Sequence, residues 1–576
     1  MPGFNLSTGV YRFPEKEKLD HIFYESISRS EYAINRFTLK KFINDKIFYD
    51  DEHYIIILDG VVLNKNFLVQ EGENWEKAVI RLYKAHGETF FNNFRGSFTG
   101  AIYEKKEEKW IIFNDHLGSK HLYYFLQDDK IYISSEIRDL YSLFKGCSIE
   151  YHLDQQATYM LLSYGYMLDN HTLCTEIKKL EPGSFVRVQN NKIDIEKYYT
   201  LPLAPKEDNR STSELIDGID QKFKAAIKLQ FDKDLEYGHS HLVALSGGLD
   251  SRMTSWVAHQ MGYKDQINFT FSQSNYLDET IPKKIAADLK HEWIFKALDN
   301  GIFLKDLDEI NRISGGNVLY YTLAHGNSMF KLLNLSNLGL VHSGQIGDIV
   351  ISSFIKDFNN LEISGVKAYS KKFLDKIERP SPVANNIEEK EGILIYRRGL
   401  NGANNGLLIY QDNTETMSPF YDIDFFEYCL SIPIERRKKH QLYIKWVTTK
   451  YPEAAKYVWE TTKKPVSTKE VKPIIIPIGG KKIPLKSFLP LFLHKTGIKK
   501  QKKKKKKSKE QMNPLDYWYE TNNDIKEFQD QYFNQTIHLL DKNKKMKQEI
   551  TELYTEGTAI EKNQVLTLLS AIKLFF

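Results

Sequence analysis

Apolar residues fall along this chain in three rhythms. Over residues 54 to 133 they come as short runs: Tyr54 to Leu58, Ser97 to Tyr103, Trp110 to Phe113, His121 to Phe125 and Lys130 to Ile133. The runs are β-branched or aromatic and separated by turn residues. That pattern predicts strands of an antiparallel β domain filling roughly the first 200 residues. Trp75 to His86 interrupts it with helical spacing and predicts a helix.

Past residue 210 the rhythm alternates. Ser211 or Ser213 caps a predicted helix from Glu214 to about Leu229. His241 to Leu245, Ile267 to Phe271 and Leu338 to His342 read as buried strands. Arg252 to Met261 reads as a helix through Met253, Trp256, Val257 and Met261, and Asp278-Glu279 opens another. Strands alternating with helices predict a doubly wound parallel sheet, whose ligands bind beyond the carboxyl ends of the strands. The third rhythm is helical: Phe425 to Pro433, Tyr443 to Lys450 and Asp516 to Phe576, with Phe354 to about Ile393 read as helical without a landmark. Pro202 to Ser213 is polar, carries two prolines and reads as a linker. The expected domains are therefore an α+β domain over 1–205 and an α/β domain over 206–576.

The densest chemistry lies between a strand and a helix, at Ser246-Gly247-Gly248-Leu249-Asp250-Ser251. Two glycines let the backbone curl and approach a phosphate without a Cβ in the way. The helix N-terminus adds free N–H groups and partial positive charge. Ser246 and Ser251 add hydroxyls. Asp250 would repel a bare phosphate, so it makes sense as a ligand of a bridging Mg2+. The Walker A pattern, with its lysine, is absent. Ser343-Gly344 follows the strand Leu338 to His342, so both Ser-Gly stretches are expected to face one nucleotide.

Composition narrows the class without adding chemistry. The 576 residues allow two or more domains, and 41% apolar content is ordinary for a soluble protein. The net charge of +5 has its excess in Lys499 to Lys509, a self-repelling block expected to be a disordered, solvated loop, so nucleic acid is not indicated. Cys147, Cys174 and Cys429 are too few for a disulfide framework or a zinc site and suit a reducing cytoplasm. No signal peptide is expected, and no run approaches the ~20 apolar residues of a membrane span.

The punctuation between the strands carries a resemblance. Asp59-Gly60 with Asn64, Gly96-Ser97-Phe98, Asp115 to Tyr124 and Ser135-Glu136-Ile137 come in the order of the class II glutamine amidotransferase domain. Leu180 to Gly183 resembles the turn that closes that domain in asparagine synthetases. S-G-G-L-D-S resembles the loop of the ATP pyrophosphatases, and Ser343 to Asp348 resembles S-G-E-G-x-D-E of the asparagine synthetases. Glu415 to Asp422 resembles V-E-x-R-x-P-F-L-D, and Pro452-Glu453 the turn that follows the next helix. The whole chain is similar to a two-domain asparagine synthetase.

That resemblance implies an antiparallel β-sandwich followed by an ATP-pyrophosphatase-type sheet, and a ligase that adenylates a carboxylate with ATP and Mg2+. It implies that Leu245, Ser246, Gly247, Gly248, Ser251, Ser272, Ser343 and Gly344 hold ATP and its pyrophosphate, and that Asp250 and Asp348 hold Mg2+. Lys463, with Lys464 as the neighbouring choice, matches the lysine that meets charge on the phosphates. The acid is aspartate or another carboxylate such as a sugar acid, and the nucleophile is ammonia or an amine. A ring-closing relative similar to the β-lactam synthetases and a non-catalytic scaffold are the alternatives. The oligomeric state is open, a homodimer included.

Departures from the family are localised. Gln345 and Ile349 replace carboxylates of the second loop, and Met417-Ser418 stand where an arginine is expected. In the first domain Pro2 precedes Gly3 where the nucleophilic cysteine belongs, Asp59 replaces an asparagine, Val61 a glutamate and Arg95 an aspartate. The first domain is therefore expected not to hydrolyse glutamine, leaving free ammonia, a separate glutaminase or an amine substrate as the nitrogen source.

Overall fold

Ile55 and Ile57 point one way from their strand, and Ile56 and Leu58 the other; both faces are buried. This unbroken apolar run belongs to the computed structural model of the chain, which describes residues 2–355, 368–378, 384–467, 475–478, 481–484 and 509–576. The predicted disordered block lies outside the described residues except for Lys509.

Two six-stranded antiparallel sheets build the first part. One runs Lys178–Lys179, Tyr123–Gln127, Lys130–Ser134, Gly3–Ser7, Ala33–Leu39, Ile22–Ser28. The other runs Lys192–Lys197, Ser184–Gln189, Lys109–Asn114, Gly96–Glu104, Tyr54–Val62, Ile47–Asp50. Phe4, Leu6 and Ile34 of the first share a core with Ile55, Ile57 and Ile112 of the second, so the sheets pack face to face. On the outer face of the second sheet, Ile56 and Leu58 meet Trp75, Val79 and Leu82 of the helix Trp75–His86.

A five-stranded parallel sheet follows, in the order Glu292–Ala297, Gln266–Ser272, Ser240–Ala244, Leu338–His342, Thr416–Met417. The chain steps outward from Ser240–Ala244 on one side and then jumps to Leu338–His342 on the other, which makes the gap between these two strands a topological switch point. Val243 and Leu245 pack under helices Thr212–Glu236 and Leu249–Gln260; Leu242, Phe269 and Val341 pack on the opposite side against Leu307, Leu323 and Leu568.

Helix Thr212–Glu236 begins in a capping box: Ser211 Oγ accepts from Glu214 N at 3.2 Å and Glu214 Oε2 accepts from Ser211 N at 2.6 Å. The cap is thus Ser211, not Ser213, and the helix outruns the predicted end at Leu229. Near its end Asp234 Oδ2 bonds His241 Nδ1 (2.8 Å) and His342 Nε2 (2.6 Å), which pins the helix to both strands of the switch point.

The two parts are fused through buried charge. Lys120 Nζ lies 2.7 Å from Asp59 Oδ2 and 3.1 Å from Glu415 Oε2, and Lys46 Nζ lies 2.8 Å from Glu415 Oε1; all four side chains are at most 3% exposed. A second group joins Asp45 to Lys65 (2.7 Å) and Lys233 (3.2 Å). The last helix, Ala559–Phe575, returns to the first part, where Phe575 stacks on Tyr141 with ring centroids 4.6 Å apart. Among the described residues, no helix is long and apolar enough to cross a membrane.

Candidate active site

The loop Ser246 to Ser251 leaves the carboxyl end of Ser240–Ala244 and enters helix Leu249–Gln260. It is wound on its own serines: Ser246 N donates to Ser251 Oγ at 2.9 Å, and Gly248 N donates to Ser246 Oγ at 3.2 Å. Gly247 N donates to Asp278 Oδ1 at 2.8 Å. The second loop crosses it closely. A Cβ on Gly344 would sit 2.2 Å from Ser251 N, and one on Gly347 would sit 2.5 Å from Asp250 Cγ. The two stretches meet only because both positions are glycine.

Between them opens a cavity of about 340 Å3. Leu245, Ser246, Gly248, Asp250, Ser251, Ser343 and Gly344 line it. The aromatic side of its wall is Phe269, Phe271 and Tyr410.

Asp250 stands at one end of the cavity. Tyr443 Oη donates to its Oδ1 at 2.8 Å, and Asp348 N donates to its Oδ2 at 3.0 Å. Burial, with the Asp348 carboxylate beside it, pushes the Asp250 carboxyl up to about 8. Burial also raises Asp348, against the pull of His440 and Arg398. Two crowded carboxyls that each favour the proton are an arrangement that a divalent cation relieves. Their donors are hard oxygens, which fits Mg2+.

Other expected residues lie off this wall. Ser272 ends its strand with its side chain fully buried, and Gly247 is turned to Asp278. Lys463 is exposed, in a left-handed turn (φ 56°) between the short strands Val458–Trp459 and Lys464–Pro465. That hairpin nevertheless holds the loop: Glu460 N donates to Gly247 O at 3.2 Å. Fully buried Arg252 donates to Gly247 O at 3.3 Å and Val458 O at 2.5 Å, clamping loop and hairpin together. Sequence reading missed Tyr443 and Arg252 as parts of the site. It noted Asp278 only as a helix opener.

The pocket of the first part is filled by charge. Burial disfavours the Asp59 carboxylate, but the Lys120 and Lys46 ammoniums outweigh burial and hold it at about 2. Thr38 also donates to it. Arg95 is committed elsewhere, to Asp424 at 3.1 Å. Pro2 and Val61 are buried. Cys147, Cys174 and Cys429 are all free thiols.

An antiparallel sandwich is joined here to a parallel sheet with a glycine loop at its switch point. The glutamine amidotransferase domain family matches residues 44–199. A protein of Methanocaldococcus jannaschii provisionally named a second glutamine-hydrolyzing asparagine synthetase is 23% identical over 361 residues, 60% of this chain and 68% of that one. Glutamine-hydrolyzing asparagine synthetase 1 of Bacillus subtilis is 25% identical over 46% of this chain and 42% of its own length, so the match spans less than half of that relative. The solved glutamine phosphoribosylpyrophosphate amidotransferase of B. subtilis, complexed with ADP and GMP, aligns at 14% identity over 41% of this chain and 51% of that one, with a TM-score of 0.20, too low to bear on the fold. The chain is thus similar to glutamine-hydrolyzing asparagine synthetases over about half of its length.

Proposed function

We propose that the chain is an ATP-dependent, AMP-forming ligase that makes an amide. The observation that supports this best is the meeting of Ser246–Ser251 with Ser343–Asp348 across one cavity at the switch point. The domains are 1–205, an amidotransferase-like unit, and 206–576, an ATP-pyrophosphatase-type unit. A carboxylate resists attack by an amine because oxide is a poor leaving group. In the proposed first step a carboxylate oxygen attacks the α-phosphorus of ATP and pyrophosphate departs. An amine or ammonia then attacks the acyl carbon, and AMP leaves with the bonding electron pair.

Ser246, Gly248 and Ser251, which line the cavity, would hold the departing pyrophosphate by exchanging the bonds within the loop for bonds to it; Gly247 shapes the turn, and helix Leu249–Gln260 adds its N-terminal field. Asp250 and Asp348 hold Mg2+, which when bound offsets charge on the phosphates. Lys463 brings a positive charge from the hairpin tied to the loop. The aromatic wall of Phe269, Phe271 and Tyr410 suits the base. Nucleotide product analysis tests the reading: with a competent acid, AMP and pyrophosphate are expected, and exchange of labelled pyrophosphate into ATP should require that acid. ADP and phosphate as products would refute it.

A further inference from the structure

The cavity wall has a gap in its chemistry. Among the described residues that line it, none is Lys, Arg or His. An acid substrate is an anion and needs a cationic partner, and the Asp250 end is where the structure supplies one.

Helix Ile387–Leu394 runs on into a π-helical turn, Ile395–Leu400. Such turns are rare and recur at functional sites. This one packs on the second loop, since a Cβ on Gly399 would touch Ile349 Cδ1 at 3.6 Å. It separates two arginines. Arg397 is buried and faces Asp169, with Nε 3.5 Å from Oδ1. Arg398 is half-buried and lies flat over the Phe354 ring, its guanidinium carbon 3.8 Å from the centroid. Among the described residues it has no hydrogen bond and no ion pair. His440 lies close in sequence to the helix that carries Tyr443, in a left-handed conformation (φ 58°), with its N–H bonded to Ser352 Oγ at 3.1 Å and its ring edge-on to Trp459 at 5.5 Å. Asp348 directly precedes Ile349, on which this turn packs, and the Arg398 guanidinium favours its carboxylate form.

A stacked guanidinium with its fork of donors unspent is preorganised for a planar carboxylate. With a cation on Asp250 and Asp348, an anion between that cation and Arg398 would satisfy both. Resting on the ligase reading above, we propose that Arg398 is the residue that binds the carboxylate of the acid substrate, so that acid and nucleotide enter from opposite ends of the site.

The test uses the full chain with Arg398→Ala, Arg398→Gln and Arg398→Lys. Melting temperatures are measured alone, with ATP and Mg2+, and with a non-hydrolysable ATP analogue plus aspartate, glutamate, succinate or glucuronate. At least one acid is expected to raise the melting temperature of the unmodified protein. Arg398→Ala should lose that rise and keep the response to ATP. In pyrophosphate exchange its KM for the acid should increase about 10- to 100-fold, the cost of a charge-assisted hydrogen bond, with Arg398→Lys partly restored. Should the Ala variant not fold, Arg398→Gln carries the same comparison. The proposal is overturned if the variants keep the acid response, if acid and ATP responses fall together, or if no acid shifts the unmodified protein. An acid response that needs Arg398 while no pyrophosphate is released would keep this site and remove adenylation.

Discussion

The Tyr443 hydroxyl donates to Asp250 Oδ1 at 2.8 Å, from the helix Gln441–Lys450. Burial and the neighbouring Asp250 push the phenol well above its ordinary range, so it remains a donor. Tyr443→Phe keeps the ring in its buried place and removes only that donor. Titration calorimetry is expected to show Mg2+ binding weakened by about 10-fold, the worth of one hydrogen bond to a charged group. Equal affinity would mean that the phenol serves packing alone.

The proton on Asp250 sets a pH dependence with a definite sign. Its folded value of about 8 lies above the ordinary aspartate range. Without metal, the folded chain therefore holds a proton between roughly pH 4 and 8 that the unfolded chain has released. The contribution of this group to stability falls as pH rises through that window. Urea unfolding of metal-free protein should show the unmodified chain losing stability relative to Asp250→Asn over that range. Added Mg2+ should cancel the loss, and Mg2+ affinity should climb as pH approaches 8. A parallel pH profile for the two proteins would contradict this.

Lys120 stands between two buried carboxylates, Asp59 and Glu415. Lys120→Met leaves both with less compensation, and Lys46 alone cannot neutralise them. A loss of about 3–5 kcal/mol in unfolding free energy is expected, the usual cost of breaking a buried pair from one side. Asp59→Asn leaves one ammonium in excess, but Lys120 keeps Glu415 at 3.1 Å and the new amide oxygen can still accept from it, so the loss should be smaller. Denaturant titration of the two variants decides the order.

The same geometry predicts that the protein releases no glutamate from glutamine. Asp59 stands where the resemblance puts an oxyanion donor, and its carboxylate would repel a developing oxyanion. Lys120 fills the space beside it, so Asp59→Asn is not expected to create activity. Glutamate production above a heat-treated control, measured by coupled assay, would falsify this.

Ser211→Ala removes a cap from the longest helix of the second part. About 0.5–2 kcal/mol should be lost, and Ser213→Ala should be neutral because Ser213 lies inside the helix. Urea midpoints for the two variants give the comparison.

Trp75–His86 was legible to the residue because its signals are local: Asn74 accepts from Lys77 N at 3.0 Å, and Trp75, Ala78, Val79 and Leu82 share one face. Ile22–Ser28 was not legible. It is an edge strand that buries only Ile22 and Ile27, and its pairing with Ala33–Leu39 is what makes it a strand. Gly3–Ser7 hides Asn5 and Ser7 in the interior, against their usual preference for water. The site divides the same way. Ser246 to Ser251 and Ser343 to Asp348 are contiguous, so their glycines and hydroxyls speak for themselves. Tyr443, Arg398 and Tyr410 come from distant segments, and no spacing along the chain ties them to Asp250. The π-helical turn that aims Arg398 depends on packing against Ile349, which no propensity encodes.

Glu415 is made 295 positions after Lys120. At ribosomal rates of roughly 5–20 residues per second, the nascent first part waits about 15–60 s for it. Through that interval Lys46 and Lys120 share a single carboxylate, Asp59, and one ammonium is in excess at a surface that will become interior. Water must therefore stay in this pocket until the parallel sheet delivers its edge strand. The first part is born hydrated at its seam, and that seam closes only when the second part arrives.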